Sequence, residues 1–240
     1  CLSRGLGDVY KRQGLKHIDG SSLGLVESLL GFWGGHNELK RLDAKTFSGN
    51  KDLEAIFLKF NRIQNIHPTA FDGLEQLIVL DLSSNRLVKL ENIFDSMRDL
   101  YKLDLSSNLI ENINEGVFEN LINLQDLNLM KNNLKILNPD VFKPIKTLAY
   151  INISFNKSPI KVIPAELFEH NSQLKQVYLI NNKISAVGKN FLSHLKPDLE
   201  LISFRKNKCV DDDIFPTNGL IERSEIDKLK NCFSDVKFLQ

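Results

Sequence analysis

Tryptophan occurs once in this chain of 240 residues, methionine twice and cysteine three times. Cys1, Cys209 and Cys232 are too few and too scattered for a disulfide-dense scaffold, and no CxxC pair offers a metal spacing. Charge of one sign is not in excess either. Lysine and arginine total 31 against 30 acids, a net charge of +1, so nothing demands nucleic acid or an anionic membrane as partner. The best apolar run, Leu23 to Trp33, is eleven residues long, contains Glu27 and is too short to span a bilayer. No basic segment and small-residue cleavage site frame it as a signal peptide. The five histidines, at 17, 36, 67, 170 and 194, share no metal-binding spacing. Phosphate-binding loops and HExxH are missing, and no nucleophile elbow is expected. Gly31-Phe32-Trp33-Gly34-Gly35 is glycine-rich but does not join a strand to a helix as a phosphate loop must. No enzyme activity and no cofactor are expected.

Phenylalanine, by contrast, is abundant, with fifteen residues against four tyrosines. Its excess belongs to a repeat. LDLSSN is spelled at Leu80–Asn85 and again at Leu103–Asn108, 23 residues apart. Units aligned on their leading leucine start at Leu53, Leu77, Leu100, Leu124, Leu148, Leu174 and Leu199, with steps of 24, 23, 24, 24, 26 and 25 residues. A weaker unit begins at Leu29. Each reads L-x-x-L-x-L-x-x-N-x-L, so slots four and six alternate on a short strand and face one side. A single unit cannot bury its leucines; stacked units can, with strands in parallel about 4.8 Å apart.

Slot nine is Asn in all eight units: 37, 61, 85, 108, 132, 156, 182 and 207. Where the strand turns inward, backbone groups lose their sheet partners, and an Asn side chain offers both a donor and an acceptor. Stacked asparagines are therefore read as structural. Phenylalanines near slot nineteen (47, 71, 94, 118, 142, 168 and 191) are expected to fill the core behind the sheet. Two extra residues around Asn156-Lys157-Ser158-Pro159 should bulge at the solenoid edge before register resumes at Ile160. The organisation expected is an irregular segment at 1–28, repeats at 29–208 and a C-terminal cap at 209–240. The opening CLSRGLGDVYKRQ matches nothing downstream and is expected to be partly foreign or truncated.

This unit resembles the typical class of extracellular leucine-rich repeat proteins, to which Toll-like receptor ectodomains and secreted insect leucine-rich immune-type proteins are similar. The resemblance covers residues 29–233. It implies an α/β fold: a right-handed solenoid or horseshoe with a parallel concave β-sheet and a short helical C-terminal cap. Cys209 takes the leucine slot of the last unit, and Ser224 to Phe233 is expected to be a helix opened by a capping box of Ser224 and Asp227. Caps of this kind imply a Cys209–Cys232 disulfide, which would close a loop of about 24 residues worth roughly 3 kcal/mol. Two buried free thiols remain the alternative. Families of this type often carry four cap cysteines and an N-terminal cysteine cap; this chain has neither. The resemblance also implies an extracellular place, as a secreted protein or the ectodomain of a membrane receptor, with immune or receptor-type recognition. An intracellular scaffold or regulatory subunit built on the same solenoid is the other reading.

Slots three, five, seven and eight project from the concave strands. Their middle is small and polar, and Asp81, Asp104 and Asp126 are read there as solvated strand positions. Met130, Tyr150, Phe155, Tyr178 and Ile180 are expected to form an exposed patch on three neighbouring strands, of the composition that anchors protein interfaces. Phe57 and Phe60 make a secondary candidate at the other end. The expected partner is a protein ligand or co-receptor, or a further copy of this or a related chain in a homo- or hetero-oligomer, and neither nucleic acid nor a small-molecule substrate. Sequons stand at Asn152 and Asn156. Asn156 belongs to the ladder, which leaves Asn152 as the glycosylation candidate.

Overall fold

A computed structural model describes residues 8–9, 13–26, 28–195, 198–217 and 220–234. Cys1 and most of the opening segment lie outside the described residues. The repeat becomes a solenoid whose strands form one ten-stranded sheet. From Gly31–Trp33 through Ala55–Phe57, Val79–Asp81, Lys102–Asp104, Asp126–Asn128, Tyr150–Asn152 and Gln176–Tyr178 to Leu201–Ser203, all neighbours are parallel. Identical slots pair across every step: Ile56 with Leu80, Leu80 with Leu103, Leu103 with Leu127. Asp8–Val9 extends the sheet at its first edge, in parallel with Phe32 and Trp33.

Inward slots are closed to solvent. Phe32, Ile56, Leu80, Leu103, Leu127, Ile151, Val177 and Ile202 in slot four are all buried, and so are Leu58, Leu82, Leu105, Leu129, Ile153, Leu179 and Phe204 in slot six. Behind them the phenylalanines stack in file. Phe94, Phe118, Phe142 and Phe168 lie with successive centroids 6.2, 6.3 and 5.7 Å apart and planes within 28° of parallel. Phe191 and Phe204 continue the file edge-on, and Phe32, Phe47 and Phe71 form a shorter one. The gap between Phe71 and Phe94 falls in the shortest unit, where one residue fewer offsets the ring.

The asparagines do what their position requires. Asn132 donates through Nδ2 to Leu105 and Leu129 carbonyls, both at 3.0 Å, while its Oδ1 accepts from Ile110 N–H, also at 3.0 Å. Asn61, Asn85 and Asn108 repeat this pattern, each tying its own turn to the one before. The two-residue insertion shifts it. Asn182 Oδ1 accepts from the backbone of Asn156 itself, and Asn156 Nδ2 reaches only Ile153 O. Lys157 and Pro159 are left exposed outside the ladder.

The cap departs from the sequence expectation. Its helix spans Arg223–Asp227 only, is preceded by Glu222 rather than Ser224, and has no side-chain cap hydrogen bond. Glu225, in the first turn of that helix, accepts from Phe215 N and pairs with Lys228. The chain then leaves the helix because Phe233–Ser234 pairs with Val187–Gly188 on the flank of the solenoid. A disulfide joins Cys209 to Cys232 with their Cα atoms 5.2 Å apart. The last concave strand is covered by Asp213–Ile214, antiparallel to Ile202–Ser203, a strand that the sequence reading missed. Asp213 is buried there, accepting from Ser203 Oγ at 2.5 Å and paired with Arg205.

The ladder makes an unequal prediction. Asn132→Ala should strand two buried carbonyls and one N–H and cost about 3 kcal/mol, at roughly 1 kcal/mol or more for each group. Asn156→Ala, which breaks fewer contacts, should cost visibly less. Urea denaturation midpoints of the two variants against the parent check the order.

Candidate functional site on the concave face

Strand pairing places slots three, five and seven in rows across the concave face, and slot eight along its rim. Two local devices shape these rows. In slot five, Asp81 and Asp104 accept through Oδ1 from the backbone N–H of slot seven, at 2.9 Å from Ser83 and 2.8 Å from Ser106. Asn128 and Asn152 do the same for Met130 and Ser154, at 3.1 and 3.0 Å. These are Asx turns that end the strand. The reading of Asp81 and Asp104 as merely solvated is thereby corrected, since both are half-buried and hold the turn. Asp104 also accepts from Asn128 Nδ2 at 3.3 Å, and burial, with Asp81 beside it, pushes its carboxyl above the usual range. Lys102 is ion-paired with Asp126 at 2.6 Å, and that carboxylate raises the lysine further.

In slot eight every residue is left-handed: His36, Phe60, Ser84, Ser107, Lys131, Phe155, Asn181 and Lys206 have φ between 54° and 60°. The chain must turn there to bring the next asparagine inward. No glycine fills the slot, so its conformation is invisible to a glycine-based reading. For Phe60 and Phe155, bulky residues in this region, the conformation costs roughly 1 to 2 kcal/mol.

The patch residues lie where the register predicts. Tyr150 and Phe155 are each 36% exposed, while Met130, Tyr178 and Ile180 are half-buried on the same three turns. Tyr178 OH donates to Gln176 Oε1 at 2.7 Å, and Gln176 Nε2 donates to Glu200. Ile180 N–H is held by Ser154 Oγ at 3.1 Å. No ring contact joins Tyr150, Phe155 and Tyr178 among the described residues. Asn152 is committed twice, its Oδ1 to Ser154 N and its Nδ2 toward Met130 Sδ at 3.8 Å. A glycan on this nitrogen would displace the Met130 contact.

The other end is more ordered than its two sequence candidates suggested. Phe57 stacks on Trp33 with centroids 5.7 Å apart and planes 19° apart. Phe60 stacks on His36 at 4.5 Å. Trp33 and His36 are the slot-five and slot-eight residues of the degenerate first unit. Aligning that unit in register from Leu29 would have placed both of them. Gly31 leaves room for the Trp33 ring, which folds across it: a Cβ there would lie 2.3 Å from that ring and displace it.

Asp104 supports a pH-dependent test. A carboxyl whose folded pKa is raised stabilises the fold fully only below its unfolded value, and that stability is lost as pH rises through the folded value. Asparagine retains the turn, as Asn128 and Asn152 do. Asp104→Asn should therefore be more stable than the parent at pH 7, with the difference vanishing below about pH 4, in denaturant midpoints taken at both pH values.

The family profile described as "Leucine rich repeat" matches residues 35–87 and 98–157. Leucine-rich repeat-containing protein 66 of Rattus norvegicus is 50% identical over 44 residues, which is 18% of this chain and 5% of that protein. Leucine-rich repeat-containing G-protein coupled receptor 5 of the same species is 46% identical over 52 residues, 22% of this chain and 6% of that protein. The chain thus spans a small fraction of the relatives it matches. Among solved structures, a chain of the Drosophila Toll–Spatzle complex superposes with a TM-score of 0.65 at 19% identity. That match covers 81% of this chain and 29% of the Toll–Spatzle one. Leucine-rich repeats are thus matched over residues 35–87 and 98–157, within the stretch that the strands and the ladder span, and the solenoid resembles in fold a chain of the Toll–Spatzle complex.

Proposed function

We propose that this protein is a non-catalytic recognition module that binds a protein partner through its concave sheet. The observation that carries the reading is the placement of large apolar side chains towards the two ends of a face whose middle is mostly small or polar. Tyr150 and Phe155 stand exposed beside Met130, Tyr178 and Ile180, and Phe57 and Phe60 stand at the far end. Nothing in the core needs them, since slots four and six already fill it. Phe155 also occupies a left-handed position that favours Asn or Gly. Aromatics and Met are the usual anchors of such contacts.

The reading extends to an extracellular setting, with recognition of the immune or receptor type. In support, the fold is similar to that of a chain from the Toll–Spatzle complex, a molecular hub in Drosophila development and innate immunity, and the cap carries a disulfide. Disulfides persist in oxidising compartments. The partner would be a protein ligand or a co-receptor, with association between copies an alternative use of the same face.

Three measurements bear on this. A partner captured from extracellular fluid and then titrated should lose at least about tenfold in affinity on Tyr150→Ala with Tyr178→Ala, and nothing on the distant Ile136→Ala. Native affinity in the double variant would overturn the assignment. Phe155→Asn should keep or raise the thermal midpoint, because Asn tolerates the left-handed turn, while weakening the same partner. Finally, the intact mass of protein recovered from its natural source should rise by about two daltons on reduction, and reduction should lower stability by roughly 3 kcal/mol. Free thiols at Cys209 and Cys232 would favour the intracellular scaffold.

A further inference from the structure

The first half of the concave face has its own chemistry. Slot five runs Trp33, Phe57, Asp81, Asp104 across four paired strands, so two stacked rings abut two carboxylates. Slot three beside them is Gly31, covered by the Trp33 ring, and then Ala55 and Val79, both small and apolar. On the rim, Phe60 is 51% exposed and stacks on His36. Phe57 and Asp81 are register partners, which puts their backbones one strand spacing apart, about 4.8 Å, on the same face of the sheet.

The two carboxylates lack a contacting cation among the described residues. Lys102 attracts both carboxylates from a distance, but its ammonium is held by Asp126 at 2.6 Å. Asp81 uses only Oδ1, for Ser83 N and Oγ, and its Oδ2 takes no bond among the described residues. Asp81 and Asp104 are register partners on adjacent strands and repel one another. A cation laid between them would relieve that repulsion. Arginine suits the place better than lysine, because its planar guanidinium can reach two carboxylates at once and can stack on the Phe57 ring beside them.

We infer that this end of the concave face is a docking site for an arginine-bearing basic segment of a partner protein, with Trp33, Phe57 and Phe60 taking the apolar residue next to the arginine. The inference rests on the concave-face reading and adds the chemistry of the occupant. The charge can be removed without losing the turn, because Asn128 and Asn152 close the same turn in neighbouring units.

The probe is a displayed random-peptide library panned on the whole chain. Enriched peptides should carry Arg beside an aromatic or branched apolar residue. Their affinity should fall about tenfold or more on Asp81→Asn with Asp104→Asn, and on Trp33→Ala, and should weaken with added salt. Thermal midpoints of the Asn pair at or above the parent's would exclude misfolding as the cause. Peptides without basic residues, or binding indifferent to the Asn pair, overturn the inference. If such peptides depend instead on Tyr150 and Tyr178, concave recognition stands and only this occupant fails. If they depend on neither set, both readings fall.

Discussion

The amide of the slot-nine asparagine is the contact on which the solenoid depends. At the end of each short strand the chain must turn inward, into an apolar interior where water cannot satisfy its backbone. One side chain resolves this by donating to two carbonyls and accepting one N–H. Asn132 shows the arrangement in full, bound to its own turn through Leu129 and to the preceding one through Leu105 and Ile110. Because each amide grips two turns, it fixes their spacing as well as their shape. Parallel register, with identical slots facing identical slots, follows from that grip. The left-handed residue just before the asparagine is its geometric companion, and it recurs from His36 to Lys206.

Deviations in repeat length confirm how local the constraint is. The unit with two extra residues disturbs two rungs: Asn156 and Asn182 each donate only within their own turn, Asn182 takes the N–H of Asn156, and by Asn207 the ladder again reaches back to Leu179 and Ile184. The unit with one residue fewer keeps its ladder and instead interrupts the phenylalanine file between Phe71 and Phe94. The sheet keeps its register in both cases; the insertion is absorbed in the ladder, while Phe142 and Phe168 stay stacked, and the deletion is absorbed in the phenylalanine file. The file can absorb it because its rings pack by volume, without the directional demands of hydrogen bonds.

Much of this was legible in the sequence. A side-chain type that recurs at one slot reports a requirement repeated in every turn, which is why the asparagines, the inward leucines and the phenylalanines could be placed beforehand. Requirements met by the backbone with varied side chains were not legible. Slot eight is left-handed in Ser, Lys, Phe, His and Asn alike, so no residue type announces it. The Asx turns hid because Asp and Asn were read as polar surface. In the cap, where nothing repeats, local pattern overcalled a helix from Ser224 to Phe233, while long-range pairing drew Phe233 onto Val187 and set Asp213 against Ser203. Trp33 and His36 were passed over because their unit is degenerate in its leucines, although its outward slots are in register.

The division between slots also bears on how such a surface can change. The inward slots and the asparagine are occupied by the fold. Slot five is different, because Asp and Asn close the same turn through the same oxygen. Asp81, Asp104, Asn128 and Asn152 are therefore close to equivalent for the turn and unlike in charge. For Asp104 the carboxylate is the costlier choice, since burial and its neighbour Asp81 oppose its ionisation. Fold stability alone would prefer asparagine at that position. A charge carried where a neutral residue would also close the turn points to the solvent side of the sheet, where Lys102 offsets part of that cost while paired with Asp126, and a cation from outside the chain can offset more.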